Sequence, residues 1–183
     1  MNHSENIGNI YSEYVDDMYS YSMFLGYSEQ VAQDAIHDVY CKIFANPQLL
    51  DGIRNVRAFL IRSLKNRLLD ISKKKREVLG LPNDSLLSEG SSAVVQVTIE
   101  DEYIQNEDRV RISQKVASVL SVLTDRQREI IYLRYMQELE YEEISTILSL
   151  SIPSCRKAVH MAIAKLKKNN SYTLFIFLLT TFR

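Results

Sequence analysis

Three short helical patterns follow one another within residues 123–166, and they limit the fold of this chain more than any other segment. Thr124 with Gln127 three residues later is a capping-box signature, which predicts the start of the first helix. A second short helix is predicted over Glu140–Leu150. Pro153 then falls in the first turn of a third helix, where proline is tolerated because it has no N–H to leave unpaired.

The third helix of this segment separates an apolar stripe from a basic one. Its predicted buried residues are Cys155, Val159, Ala162 and Leu166. Its exposed side carries Arg156, Lys157 and His160. A helix pair joined by a tight turn, with cations on the second helix, is typical of helix–turn–helix units that place this helix in the DNA major groove. On spacing alone, a three-helix packing unit with a solvated basic face remains the alternative.

Charge is segregated along the chain, although the net charge of all 183 residues is only −1. Residues 1–53 carry a net charge of −7, residues 54–76 of +8, residues 77–108 of −8 and residues 109–168 of +5. Two basic blocks separated by an acidic one indicate two modules that contact a polyanion and are joined by a tether. Ordinary solvated helix faces are the alternative that charge alone leaves open.

The N-terminal half also shows helical periodicity, over about residues 10–25, 29–45 and 55–74. Ser28 is a candidate cap for the second of these helices, with Glu29 in its first turn. The predicted buried stripe of the second helix is Val31, Ala35, Val39 and Ile43. That of the third helix is Leu60, Leu64, Leu68 and Ile71.

The periodicity disappears in residues 77–108, where glycine, proline, serine and acidic residues predict a mobile linker. The predicted fold is therefore all-α, with two small helical domains joined by an acidic flexible linker. The first domain is residues 1–76, the linker is residues 77–108, and the helix–turn–helix domain is residues 109–168. An apolar tail, residues 169–183, follows.

Secretion and catalysis both lack the sequence features that they require. Cys41 and Cys155 lie far apart and no apolar stretch follows a basic N-terminus, so we expect a reducing cytoplasm. The five glycines form no phosphate-binding loop, and the three histidines lie in separate segments. The acids Glu100–Glu102 leave a magnesium-dependent nuclease as a distant alternative, although such runs are usually solvated. We therefore expect no catalytic residue, metal, cofactor or small-molecule substrate.

Three segments resemble the extracytoplasmic-function (ECF) group of sigma-70 family factors, which direct bacterial RNA polymerase to promoters. Residues 32–44 (AQDAIHDVYCKIF) resemble the polymerase-binding helix, and residues 55–76 (NVRAFLIRSLKNRLLDISKKKR) resemble the helix along the minus-ten element. Residues 140–166 resemble the helix–turn–helix for the minus-thirty-five element. The resemblance covers roughly residues 8–76 and 108–168. It implies a sigma factor for transcription initiation, with RNA polymerase core, promoter DNA and an anti-sigma factor as partners.

The resemblance also implies roles for individual residues. Contacts with the polymerase core are implied for Asp34, His37, Asp38 and Tyr40. Contacts with the minus-ten element are implied for Asn55, Arg57, Arg62, Lys65, Asn66 and Lys73. Contacts with the minus-thirty-five element are implied for Ser154, Arg156, Lys157 and His160. Asn66 and Asp70 match a polar pair of the family, and their four-residue spacing favours a hydrogen bond between them. The loop at Asn46–Val56 matches the family loop that captures a flipped base.

The sequence departs from the family pattern at the helix–turn–helix. Ala158 and Met161 stand where many members have arginine or lysine, which leaves fewer cations at the groove. Ser149 stands where glycine is frequent. The main alternative function is a stand-alone helix–turn–helix regulator that binds operator DNA as a dimer.

The tail contains an apolar run, Tyr172–Phe182, that is too short to span a bilayer, which needs about 20 apolar residues. An additional helix packed on the second domain is one interpretation. A contact surface for an inhibitory anti-sigma protein or a membrane is the other.

Overall fold

A computed structural model describes residues 3–79 and 122–168 of the chain, with side chains from residue 7 onward. These two ranges are all α and contain no strand. Their elements are α1 (His3–Phe24), α2 (Glu29–Ala45), a 3-10 turn (Pro47–Leu50), α3 (Val56–Leu79), α4 (Asp125–Ile131), a π turn (Tyr132–Met136), α5 (Tyr141–Leu148) and α6 (Ile152–Lys168). The linker from residue 80 on, the first residues of the predicted helix–turn–helix domain (109–121) and the tail lie outside the described residues.

The chain divides into two compact units. The first contains α1, α2 and α3, which we call the N-terminal module. The second contains α4, α6 and most of α5, and we call the described residues 122–168 the C-terminal module. Among the described residues, no helix is long and apolar enough to cross a membrane.

The N-terminal module is a bundle in which each of the three helices packs against the other two. Its fully or almost fully buried residues include Met18, Tyr21, Ala35, Val39, Ile43, Leu60, Leu64 and Leu68. The predicted stripes are therefore confirmed, except that Val31 and Ile71 are only partly buried. Ala32, Ile36 and Ile61 are buried as well. A helix that packs against two neighbours buries a wider stripe than one that packs against a single surface.

The starts of α2 and α3 are capped in different ways. Ser28 has the extended backbone of an N-cap residue (φ −67°, ψ 155°), but its side chain makes no capping hydrogen bond. The prediction at Ser28 is therefore confirmed for the position and wrong for the contact. At the start of α3, the side-chain oxygen of Asn55 accepts a hydrogen bond from the backbone N–H of Ala58 at 2.8 Å. This contact satisfies one of the unpaired donors of the first turn.

α3 continues to Leu79, three residues beyond the end of the segment predicted to be the first domain. Lys73, Lys74 and Lys75 are exposed, whereas Arg76 is only 7% exposed. The Arg76 Nε–H donates to the carbonyl oxygen of Ser72 at 3.3 Å. The basic run at the end of α3 therefore presents three cations to solvent and keeps the fourth inside the module.

The C-terminal module begins with the predicted capping box. The hydroxyl of Thr124 accepts a hydrogen bond from the N–H of Gln127 at 3.4 Å, and the Gln127 side chain accepts one from the N–H of Thr124 at 3.2 Å. A second capping box joins Glu140 and Glu143 at the start of α5. Between the two helices, the N–H of Gln137 donates to the carbonyl of Tyr132 at 3.0 Å, which closes the wide π turn.

The core of the C-terminal module follows the predicted periodicity. Its buried residues include Ile130, Ile131, Leu133, Leu139, Ile144, Cys155, Val159, Ala162 and Leu166. Ile147 and Leu148 of α5 are buried too, and Tyr135 is partly buried. Burial raises the pKa of the Cys155 thiol, so the uncharged thiol packs in this core as a small apolar group.

The turn between α5 and α6 depends on a serine in the left-handed conformation. Ser149 has φ 52° and ψ 46°, and the N–H of the next residue, Leu150, donates to the carbonyl of Ser145 at 3.0 Å. Ser151 then begins α6, because its hydroxyl accepts a hydrogen bond from the N–H of Ser154 at 3.3 Å. The left-handed position at the end of α5, which Ser149 occupies, normally favours glycine, because glycine has no Cβ to crowd the backbone.

We expect Ser149→Gly to raise the free energy of unfolding by up to about 1 kcal/mol, because it relieves the left-handed strain of a residue with a Cβ. Urea denaturation measures the change. Ser145→Gly is the matched control: the same substitution in the interior of α5 should lower stability by roughly 0.5–1 kcal/mol. Equal destabilisation by both substitutions would contradict the role of the turn.

Candidate polymerase and nucleic-acid interfaces

One face of α2 carries the residues that were predicted to contact the polymerase core. Asp34 and His37 are exposed and Asp38 is partly exposed. Cys41 lies on the same face, with its Sγ atom 3.3 Å from Nε2 of His37. Residues at these three- and four-residue spacings share one side of a helix, so the face is polar and open to a partner.

Tyr40 is different, because its side chain is buried and only 3% exposed. Its hydroxyl donates to the backbone carbonyl of Ile10 at 3.3 Å, and its ring meets that of Tyr11 edge-to-face at 4.8 Å. Burial raises the pKa of Tyr40 above its usual value. Tyr40 therefore joins α2 to α1 from inside the module, and its predicted contact with the polymerase stays a prediction.

Asp38 is already held by a residue of the next helix. Its carboxylate lies 2.7 Å from Nε and 2.6 Å from Nη2 of Arg67. Both side chains are 44% exposed, so water screens the pair and its contribution to stability is at most about 1 kcal/mol. The ion pair connects the polar face of α2 with the basic helix α3.

Two residues of the predicted minus-ten set have contacts inside the protein. The Arg57 guanidinium lies 2.7 Å from the carboxylate of Asp17 in α1, and the two side chains are 27% and 33% exposed. Asn55 caps α3 through Ala58. Both residues therefore position the start of α3 in the bundle, a role that the spacing in the sequence did not reveal.

The rest of the predicted minus-ten set lies on the outer side of α3. Arg62, Asn66 and Lys73 are exposed, and Lys65 is partly exposed. At about 100° per residue, the first three fall within an arc of about 40° around the helix. Asp70 is also exposed, and within the described residues no hydrogen bond joins it to Asn66. The hydrogen bond expected between these two residues is therefore absent, and the Asn66 amide faces solvent between two cations.

The connection between α2 and α3 is short and mostly exposed. It contains the 3-10 turn, the left-handed Gly52 (φ 72°) and Leu49, which is 37% exposed. A side chain at Gly52 would be strained by this backbone conformation. Capture of a flipped base by this loop stays a prediction.

The exposed side of α6 carries the remaining predicted contacts. They are Ser154, Arg156, Lys157 and His160, all of them exposed. The Ser154 hydroxyl lies 2.8 Å from that of Ser151, so Ser154 takes part in the cap of α6. Met161, on the same helix, is 48% exposed. An arginine on a helix that is free to enter a groove can recognise guanine through both of its donors.

Two further residues stand beside Arg156 that the sequence did not single out. The Arg156 Cζ lies 5.4 Å from the ring centroid of Tyr141, and the Arg134 Cζ lies 5.0 Å from the same centroid. Arg134 is also held by the carbonyl of Leu139 at 2.7 Å and the carboxylate of Glu140 at 3.1 Å. Nothing in the spacing of these residues marks them as a group, because the chain must first fold to bring them together.

In the part of the chain that the structure describes, no three histidine, cysteine, aspartate or glutamate residues come together as metal ligands. The acids Glu100–Glu102, on which the nuclease alternative rests, lie outside the described residues.

Comparison with known proteins shows which proteins this chain resembles. The family model for sigma-70, region 4, matches residues 113–166. The ECF RNA polymerase sigma factor SigM of Bacillus subtilis is 23% identical over 161 residues, which are 88% of this chain and 93% of SigM. The RNA polymerase sigma factor YlaC of the same organism is 26% identical over 169 residues, 92% of this chain and 94% of YlaC.

The chain is similar to the ECF group of the sigma-70 family, by the region 4 match and by relatives that align over most of its length. The recognition made from the three sequence segments is confirmed. The region 4 match includes α4, α5 and α6, so the predicted DNA-contacting residues of α6 lie within the matched part of the chain.

Two solved structures agree with the fold of the chain. One is RpoE in complex with the anti-sigma factor NepR from Bartonella quintana, with a TM-score of 0.64 and 21% identity over 90% of this chain and 96% of that one. The other is CnrH in complex with the cytosolic domain of CnrY, with a TM-score of 0.61 and 19% identity over 90% of this chain and 87% of that one. The all-α fold expected from the sequence is confirmed.

The Asp38–Arg67 ion pair can be tested in the free protein. In a double-mutant cycle of Asp38→Asn and Arg67→Gln, we expect a coupling free energy of roughly 0.2–1 kcal/mol, because the partly exposed pair is screened by water. Urea denaturation gives the four free energies of unfolding. Asp34→Asn, on the same helix face, serves as the control and should show no coupling to Arg67→Gln. Zero coupling for Asp38 would mean that the ion pair does not form in solution.

Proposed function

We propose that this chain is a sigma factor that brings bacterial RNA polymerase core to specific promoters for transcription initiation. The observation that carries the proposal is the similarity of the chain to RNA polymerase sigma factors, with relatives aligned over both modules. Those relatives are RNA polymerase sigma factors. The exposed polar face of α2 and the exposed cations of α3 and α6 supply the surfaces that this function needs.

The polymerase contact is proposed for the exposed face of α2. Asp34 and His37 are free to meet a partner surface, and Asp38 takes part while paired with Arg67. Acidic groups at the rim of an interface increase the association rate with a basic partner and set its orientation. Tyr40 contributes indirectly, because it anchors α2 to α1.

DNA contact is proposed for two separate surfaces. On α3, Arg62 and Lys73 neutralise phosphates on either side of Asn66, and release of counterions drives this binding. On α6, Arg156 reads base edges of the upstream element, whereas Lys157 contacts the phosphate backbone. Phosphate contacts fix the position of the protein on DNA and the base contacts supply the sequence preference.

We also infer that the chain is not an enzyme and acts in the cytoplasm. Sigma factors select the start site while the polymerase carries out the chemistry, so a member of this family needs no active site of its own. Two proteins of similar fold were solved bound to another protein, and in RpoE that protein is an anti-sigma factor. We therefore propose that an anti-sigma factor also controls this chain.

The alternative, a stand-alone regulator that binds operator DNA as a dimer, explains only the C-terminal module. It gives no role to the N-terminal module, which aligns with sigma factors together with the rest of the chain. Binding of the free chain to a palindromic duplex, without any affinity for core polymerase, would favour this alternative.

We expect Asp34→Lys to weaken association with core polymerase at least about tenfold, because it reverses a charge in the proposed interface. Fluorescence titration of core with the labelled chain measures the dissociation constant. Asp16→Lys makes the same charge reversal at an exposed position of α1 and should leave the affinity nearly unchanged. Equal losses in the two variants would show that net charge, not the α2 face, controls the association.

We expect Arg156→Ala to cost roughly 1–3 kcal/mol at the upstream element and to relax base choice there, because a bidentate base contact is lost. Transcription with reconstituted polymerase on promoters with single base changes measures both effects. Lys168→Ala removes a cation from the end of the same helix and should leave base choice unchanged. An unaltered base preference after Arg156→Ala would refute the assignment.

A further inference from the structure

The guanidinium of Arg156 rests against the ring of Tyr141, the first residue of α5. The 5.4 Å between its Cζ and the ring centroid is within the range of an attractive cation–π contact. Arg156 is exposed and extends from the first turns of α6. The aromatic ring therefore holds the guanidinium of a side chain that would otherwise sample many rotamers in water.

The same ring also contacts Arg134, and this second cation is compensated. The Arg134 guanidinium lies 3.1 Å from the Glu140 carboxylate and donates to the Leu139 carbonyl at 2.7 Å. Glu140 offsets the positive charge of Arg134, so Arg134 repels Arg156 less than an unpaired cation would. Arg134 also fixes the backbone at 139–140, directly before Tyr141.

We propose that Tyr141 is a positioning residue for base recognition: its ring orders Arg156 before the upstream promoter element is bound. This inference rests on the proposed function. An arginine that reads a base loses rotamer freedom when it binds, and a side chain ordered in advance loses less. Tyr141 thereby sharpens the preference for the correct base without touching DNA itself.

Two substitutions at Tyr141 separate the ring from its hydroxyl. Tyr141→Leu removes the cation–π partner but keeps an apolar side chain, whereas Tyr141→Phe keeps the ring. The full-length chain with core polymerase transcribes from promoters that carry single base changes in the upstream element. We expect Tyr141→Leu to reduce discrimination between the preferred and the changed base about two- to fivefold. Tyr141→Phe should keep the discrimination of the original chain.

A cycle with Arg156 tests whether the effect passes through that side chain. In the Arg156→Ala background, Tyr141→Leu should cause no further loss of discrimination. Three outcomes would each overturn the proposal. Tyr141→Leu could lower base discrimination equally in the two backgrounds, the Leu and Phe variants could lower it equally, or Tyr141→Leu could raise it. If Tyr141→Leu lowers the urea midpoint substantially, Tyr141→Met replaces it with an unbranched apolar chain, and the same outcomes decide.

The controls distinguish this inference from the proposed function. A loss of discrimination in Arg156→Ala together with none in Tyr141→Leu would refute the role of Tyr141 alone. No effect of Arg156→Ala would remove the base-reading role of Arg156, and the role of Tyr141 with it. Core association should be the same for the Tyr141 variants and the original chain, because Tyr141 lies outside the proposed polymerase surface.

Discussion

The complete burial of Leu60, Leu64 and Leu68 fixes the rotation of α3 about its axis. Each buried leucine stabilises the bundle by about 1.5–3 kcal/mol relative to an exposed one, far more than a surface ion pair contributes. The apolar stripe therefore decides which side of the helix faces water, and the charged residues take the positions that remain. Arg62, Asn66 and Lys73 form a common outer face because the leucines hold the opposite side in the core.

Three arginines of the basic block at residues 54–76 are held by contacts inside the protein. Arg57 pairs with Asp17, Arg67 pairs with Asp38, and Arg76 is buried. Arg57 and Arg67 connect α3 to α1 and α2 through ion pairs, which the planar guanidinium forms well, whereas Arg76 donates to Ser72 within α3. The three lysines at 73–75 are exposed, and an ammonium group on a flexible chain suits a mobile phosphate contact.

Periodicity and capping signals in the sequence were sufficient to predict the helices. α2 begins and ends at the expected residues, the Thr124–Gln127 box is present, and the stripe from Cys155 to Leu166 is buried. These features are local, because they depend on residues three or four positions apart. The contacts that hold candidate site residues in place connect Asp38 with Arg67 and Tyr141 with Arg156. They form between different helices only after these helices pack. The sequence does not reveal them, because the two residues of each pair are far apart along the chain.

The small number of cations in the first half of α6 changes how the C-terminal module would recognise DNA. Salt dependence grows with the number of phosphates neutralised, with a slope of about 0.9 for each contact on duplex DNA. With Ala158 and Met161 in place of cations, the first half of α6 offers only Arg156 and Lys157 as Lys or Arg side chains for such contacts, while Lys165, Lys167 and Lys168 lie in its last turn. In the proposed function, recognition of the upstream element would then rely on the geometry of Arg156, for which an ordering partner such as Tyr141 matters more than it would on a helix with more cations at the groove.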